Sequence, residues 1–270
     1  DEATPYHHFG EISSVGRDYE FTDARPVTAG CRTRKSDREI ELIQIAMNKT
    51  LEVHKSAAAV LAPGVTSAEM IDFIDRAHKT IGSDRGSTFC AVQFGEATAY
   101  PHGVPGVQSL EADDIVLIDT GCQVNGYHSD ITRTYVFGDA GEKHRSVWEA
   151  EKAAQARAFE AAKPGVRCGD VDIAARDYLV SLGYGPEYAV PGLPHRTGHG
   201  IGLDIHEWPY LVRSDDTPLA KGMCFSNEPM LCLDGEFGVR LEDHFYMDDD
   251  GARWFTEPSA SIDDPFGLDT

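Results

Sequence analysis

The stretch that most restricts how this chain can fold is IVLIDTGCQVNGYHSDITRT, residues 115–134. Asn125-Gly126 lies between two strand-like runs. An Asn-Gly pair in that setting is a strong hairpin signal, because a type I′ turn needs positive φ at both central residues. With these two residues as the turn, Val124 pairs with Tyr127, Gly121 faces Asp130, and Asp119 faces Thr132. Asp119 and Asp130 then share one face as diagonal cross-strand neighbours, roughly 7–8 Å apart at the backbone. Carboxylates that close repel unless one takes up a proton or a metal joins them. A hard divalent ion suits such oxygen ligands. Two solvated turn aspartates are the plainer alternative. The apolar run IVLID around Asp119 weighs against it, since a buried Asp needs a partner.

A second carboxylate pair lies further on. Glu228 and Glu242 flank Asp234-Gly235 at a spacing of 14. A two-residue turn would send them to opposite faces, whereas a three-residue loop or a bulge beside Gly235 would make them direct neighbours. A joint metal role therefore requires an odd loop. A surface strand with Arg240, Glu242 and His244 facing solvent fits the same alternation. Between the two pairs, residues 195–207 read HRTGHGIGLDIHE, with three histidines in twelve positions among glycines. Glycines let the backbone pass close to a site, and a neutral imidazole ligates zinc, manganese, cobalt or iron. The alternative is a flexible loop with incidental histidines. The spacing is not that of an H-E-x-x-H helix.

The rest of the pattern mixes helices and strands. Ile40, Ile43 and Ala46 recur at helical spacing after Ser36 or Asp37, and Pro63-Gly64 stops that helix. Thr66 and Glu69 are spaced as a capping box opening a second helix. Strands are expected at 88–94, 115–120, 127–137, 223–233 and 236–247, and helices at 142–162 and 169–182. Residues 183–202 are rich in Gly and Pro. No tandem repeat stands out. Residues 1–34 resist assignment and are expected to be an N-terminal extension. Residues 35–256 form the expected catalytic domain, and 257–270 read as a C-terminal tail.

The formal net charge of −21 argues against nucleic acid and anionic membrane surfaces as partners. No run of about 18 apolar residues suggests a membrane span. The first ten residues lack the basic start and apolar run of a signal peptide. The six cysteines include no C-x-x-C pair and read as reduced thiols of a cytoplasmic protein.

Taken together and in order, these segments resemble the pita-bread metallopeptidases, the family of prolidases, aminopeptidase P, methionine aminopeptidase and the creatinases. The resemblance covers about residues 34–250. HRTGHGIGLDIHE and the short Glu228–Glu242 spacing look most like the prolidase and aminopeptidase P group, as does the helix start TRKSDREIELIQIA. It implies an α+β fold, a curved, mostly antiparallel sheet covered by helices with the site on its inner face. It implies two divalent metal ions, manganese foremost, with cobalt, zinc or iron as alternatives. Asp119 would chelate one ion and Asp130 would bridge both; His199 and Glu228 would bind the second, with Glu242 bridging. Glu228, His206 and His102 would be catalytic, and His102, His195, His206 and Arg240 would contact substrate. The implied activity is hydrolysis of Xaa-Pro bonds, in dipeptides or at peptide N-termini, by a metal-bridging hydroxide. Small peptides are the expected substrates and a homodimer the expected assembly.

Departures accompany the likeness. Prolidases normally carry a separate N-terminal domain, of which residues 1–34 would be a remnant. Met230 stands where the family usually has Gly. The run Tyr100-Pro101-His102-Gly103-Val104-Pro105 also suits methionine aminopeptidases, which are about this size. Methionine aminopeptidase, or a pita-bread domain that binds peptides without catalysis, is therefore the alternative.

Overall fold

The structure is a computed structural model that describes residues 4–267; residues 1–3 and 268–270, the ends of the expected extension and tail, lie outside the described residues. Within the N-terminal extension, two helices form where the sequence pattern offered no assignment. Helix α1 (Tyr6–Val15) buries none of its residues, so it carries no burial periodicity to read. Helix α2 (Arg25–Thr33) buries only Ala29 and Thr33.

Helix α3 (Asp37–Ala59) starts where the capping residues predict. The Ser36 hydroxyl accepts from the Glu39 N–H, and the Glu39 carboxylate accepts from the Ser36 N–H at 2.7 Å. Thr66 and Glu69 make the same reciprocal cap on α4 (Ser67–Thr80). Each cap satisfies two backbone donors that a helix start leaves open. Behind these helices lie β1 (Ser87–Phe94), β2 (Ile115–Val124), β3 (Tyr127–His128) and β4 (Ile131–Val136), all paired antiparallel around β2. Val53, Ala57, Met70 and Ile74 of the helices pack on Val92, Phe94, Val116 and Ile118 of the strands. Burying one such side chain contributes roughly 1.5–3 kcal/mol.

The hairpin has the register that Asn125-Gly126 predicts. Val124 pairs with Tyr127 and Asp119 with Thr132, and both turn residues have positive φ, 49° and 82°. The strand expected over 127–137 is nonetheless two pieces, interrupted at Ser129-Asp130.

In the second half, α5 (Glu142–Ala161) and α6 (Cys168–Ser181) cover a sheet built from β5 (Gly198–Gly200), β6 (Glu207–Leu211), β7 (Cys224–Asn227), β10 (Asp243–Met247) and β11 (Ala252–Trp254), in the order β11-β10-β7-β5-β6. Strands β8 (Met230–Leu233) and β9 (Phe237–Arg240) form a separate ribbon. Each of the two strands expected over 223–247 is therefore split, at Glu228-Pro229 and at Leu241-Glu242. The ribbon closes with Leu233 opposite Phe237, a three-residue loop. The odd loop required for a Glu228–Glu242 pair is present. Asn227↔Asp243 and Met230↔Arg240 flank the pair in one register. A bridge between Thr132 and Glu242 joins the two sheets.

A buried ion pair secures this junction. Arg133 of β4 bonds Asp243 of β10 at 2.7 Å with both side chains fully buried, and also donates to the Thr132 and Glu242 carbonyls. Gln155 of α5 donates to the carbonyls of Asn227 and Leu241 and to Asp243. The expected tail docks here too. Arg145 pairs with Asp263, Lys152 bonds the Ser259 carbonyl, and Ile262 enters the core of α5, α6 and β7–β10.

A second acidic group lies against this network. Glu151 of α5 is fully buried and neither carboxylate oxygen makes a well-formed hydrogen bond, with only the Leu241 backbone near enough to favour its ionised form in part. Burial pushes its carboxyl well above the ordinary 4.5. A proton held by the folded form alone makes stability fall as pH rises above the unfolded value, by up to about 1.4 kcal/mol per pH unit until the folded group ionises. Glu151→Met removes that contribution. Urea unfolding at pH 5 and pH 8 should show the variant losing less stability over that interval than the parent protein; equal losses would contradict this account of Glu151.

Candidate metal centre

The five predicted ligands converge, and the strand interruptions bring them together. Asp119 points from the middle of β2, and Asp130 from the break between β3 and β4. Glu228 and Glu242 occupy the breaks after β7 and before β10. His199 is the central residue of the short strand β5, which sits inside the Gly-Pro-rich segment. A Cβ on Gly198 would lie 2.1 Å from the Ser226 carbonyl oxygen, and one on Gly200 2.5 Å from that of Glu207. Only glycine lets β5 fit between β6 and β7, and this fit holds the imidazole in place.

The His199 ring is oriented as a ligand. Its Nδ1–H donates to the Gly200 carbonyl at 3.0 Å, which leaves the lone pair on Nε2. That nitrogen faces Glu228 Oε1 at 3.2 Å, Asp130 Oδ2 at 3.6 Å and Glu242 Oε1 at 3.9 Å. Burial pushes the imidazole down to about 3, so it is neutral near pH 7. Asp130 and Glu242 are displaced upward. For Asp130 the causes are burial, then the charges of Glu242, Asp119 and Glu228; for Glu242 they are burial, then Glu228 and Asp119. Asp119 Oδ1, Asp130 Oδ1 and Glu242 Oε1 are buried without partners. A lone pair and several carboxylate oxygens aimed at one point repel each other unless a cation occupies it. The donor set, four carboxylates and an imidazole, fits divalent metal ions.

Neighbouring groups hold some of these carboxylates. Thr132 Oγ1 donates to Glu242 at 2.7 Å, Ser226 Oγ to Glu228 at 3.2 Å, and Arg240 Nη2 to Asp119 at 2.5 Å. Burial alone would lower the Arg240 pKa, but the charges of Asp119, Glu242, Glu228 and Asp130 outweigh it and raise the pKa. Arg240, expected to meet substrate, thus spends its guanidinium on a candidate ligand and on Thr132. The histidine segment is tied down from behind. Arg176 of α6 is paired with Asp172 and donates to the Leu193 and His195 carbonyls, while Thr197 donates to Asp172. Glu207, next to His206, accepts from Lys35 at 2.9 Å and from Arg32.

A cavity of about 590 Å³ opens over this cluster, lined by the five candidate ligands and by His102, His195, His206 and Arg240. Every site residue expected from the sequence therefore borders one space. His102 and His206 reach solvent there, yet burial pushes His206, like His195, down to about 4. Phe89, Pro101, Arg196 and Ile205 complete the lining. Arg196 and His244 escaped the sequence reading of the site. Arg196 rests over the Tyr210 ring at 5.2 Å and forms no ion pair among the described residues. Its place inside HRTGHG was the available signal. His244 shares a strand face with Glu242, and only that alternation hinted at it.

Comparison with known proteins agrees with this geometry. The model of metallopeptidase family M24 matches residues 41–249. The chain is similar to a putative dipeptidase, YkvY, of Bacillus subtilis, with 36% identity over 238 residues, 88% of this chain and 64% of that protein. It is 35% identical to an Xaa-Pro dipeptidase of Pyrococcus furiosus over 255 residues, 94% of this chain and 71% of that one. The solved structure of the P. furiosus prolidase superposes with a TM-score of 0.87 at 33% identity, over 95% of this chain and 74% of the other. An X-Pro aminopeptidase of Thermotoga maritima gives 0.85 at 30% identity, over 95% and 72%. The chain thus spans about two thirds of its relatives' length.

The raised carboxyls make metal uptake sensitive to pH. An ion entering the centre would displace the protons that the raised Asp130 and Glu242 carboxyls hold, so binding would release protons and tighten as pH rises. Calorimetric titration with manganese at pH 6 and pH 8, in buffers of different ionisation heat, should show both effects. A pH-independent affinity without proton release would contradict the assignment.

Proposed function

The chain belongs to metallopeptidase family M24, and on that premise we propose that it is a dinuclear metallopeptidase hydrolysing Xaa-Pro bonds in dipeptides or at peptide N-termini. The observation that carries the reading is the buried His199 Nε2 facing three carboxylate oxygens at the floor of an open cavity. Asp119, Asp130, His199, Glu228 and Glu242 would hold the ions. When bound, two divalent ions supply Lewis-acid polarisation of a carbonyl and a nucleophile at neutral pH.

The chain's own groups would do the rest. Glu228, whose side chain keeps 12% exposure, is the ligand best placed to carry a proton towards the leaving nitrogen. His206 would donate a hydrogen bond to the oxygen that gains charge at the scissile carbonyl. His102 and His195 would contact substrate from the cavity wall, while Arg240 acts through Asp119. Phe89, Pro101 and Ile205 offer apolar surface for a pyrrolidine ring. The unpaired Arg196 suits a free C-terminal carboxylate, which favours dipeptides. The names of the relatives favour Xaa-Pro substrates over the methionine aminopeptidase alternative.

Manganese is the proposed resident ion, because a set with four carboxylates leans toward hard cations. All six cysteines are free, in keeping with a cytoplasmic location, and no helix among the described residues is long and apolar enough to cross a membrane. A homodimer is proposed from the family likeness; light scattering at micromolar concentration should give twice the chain mass.

The activity is tested with Ala-Pro, Ala-Pro-Ala and Met-Ala-Ser, each assayed with manganese, cobalt, zinc and iron. Ala-Pro should be the best substrate, and Asp130→Asn should lower its turnover by about a thousandfold, the equivalent of several kcal/mol of metal-derived stabilisation. Methionine release from Met-Ala-Ser without dipeptide cleavage would overturn the Xaa-Pro reading. An Asp130→Asn protein of full activity would overturn the site.

A further inference from the structure

His244 is a fully buried imidazole that the site as described above does not use. Neither ring nitrogen makes a well-formed hydrogen bond, and the Asp130 carbonyl is close enough to engage one of them. A buried polar ring left poorly satisfied is costly, and the unpartnered oxygens of Asp119, Asp130 and Glu242 lie in the same centre. His244 lies in β10, one residue beyond Asp243, and Glu242 sits in the break just before that strand. Its ligand atom and those of Asp130, His199 and Glu242 all lie within 4.8 Å of one another. The His199 and His244 rings stand 5.9 Å apart at 66°, so they converge edge-on and do not stack.

We propose that His244 is a sixth protein ligand of the centre, bound to the same ion as His199. The inference rests on the metal reading given above. Glu242, in the break before β10, and His244, within it, then form a Glu-x-His pair at the centre, and one ion would carry two imidazoles while the other carries none. An imidazole favours zinc, cobalt or iron more than a carboxylate does, so His244 would make the two ion positions chemically unequal.

X-ray absorption on the cobalt-loaded or zinc-loaded wild-type protein counts imidazoles directly. Two per pair of ions, falling to one in His244→Leu, is the expected result. Calorimetry should show one of the two cobalt ions held about 10–100-fold more weakly in that variant. A single imidazole in the wild-type centre overturns the proposal and leaves the metal reading intact. So does a count of two that His244→Leu leaves unchanged. A wild-type protein that takes up neither ion overturns the metal reading itself, and this proposal with it. The wild-type count stands even if His244→Leu does not fold.

Discussion

Four carboxylates held out of bulk water around one imidazole are the constraint on which the rest of this structure depends. Asp119, Asp130, Glu228 and Glu242 would drive one another apart or take up protons if nothing balanced them. The fold restrains them from outside. Arg240 neutralises Asp119, Thr132 holds the outer oxygen of Glu242, and Ser226 donates to the Glu228 oxygen that faces His199, while Asp119 Oδ1, Asp130 Oδ1 and Glu242 Oε1 remain without partners. That inward deficit gives the site its affinity for cations. The deficit is stable because Arg133 and Asp243 lock β4 to β10 directly beneath it.

The interruptions of the strands are the means of assembly. A continuous strand sends alternate side chains to opposite faces and keeps its neighbours in line. Asp130, Glu228 and Glu242 all fall where a strand stops and a second begins. There the backbone turns enough to aim a carboxylate at a point that no single strand face reaches. Asp119 and His199, which lie within strands, supply the two fixed directions from which the others are met.

The histidine segment depends on a different support. Its glycines allow close packing but provide no rigidity, so rigidity comes from elsewhere. Asp172 and Arg176 on α6 hold the segment before His199, and Lys35 and Arg32 hold Glu207 after it. Helix α2 and the start of α3, remote in sequence, thereby position the loop that bears His206. The cavity above is polar at its floor and partly apolar on its walls, a division that the proposed Xaa-Pro substrate would match.

What the sequence determined by itself was local and periodic. Asn125-Gly126 set the register that pairs Asp119 with Thr132, the spacing of Glu228 and Glu242 demanded an odd loop, and Ser36 and Thr66 marked two helix starts. Each of these follows from turn geometry or from a two-residue or four-residue period, which neighbouring residues decide among themselves. The tertiary structure alone decided the rest. It split three expected strands, made a strand of Gly198-His199-Gly200, docked Ile262 into the core and turned Arg240 towards Asp119. It also buried His244 beside Glu242 without a well-formed hydrogen bond. Those outcomes depend on which distant groups share one desiccated space, and a side chain's partners there are fixed by packing between elements, to which the order of residues along the chain gives no direct guide.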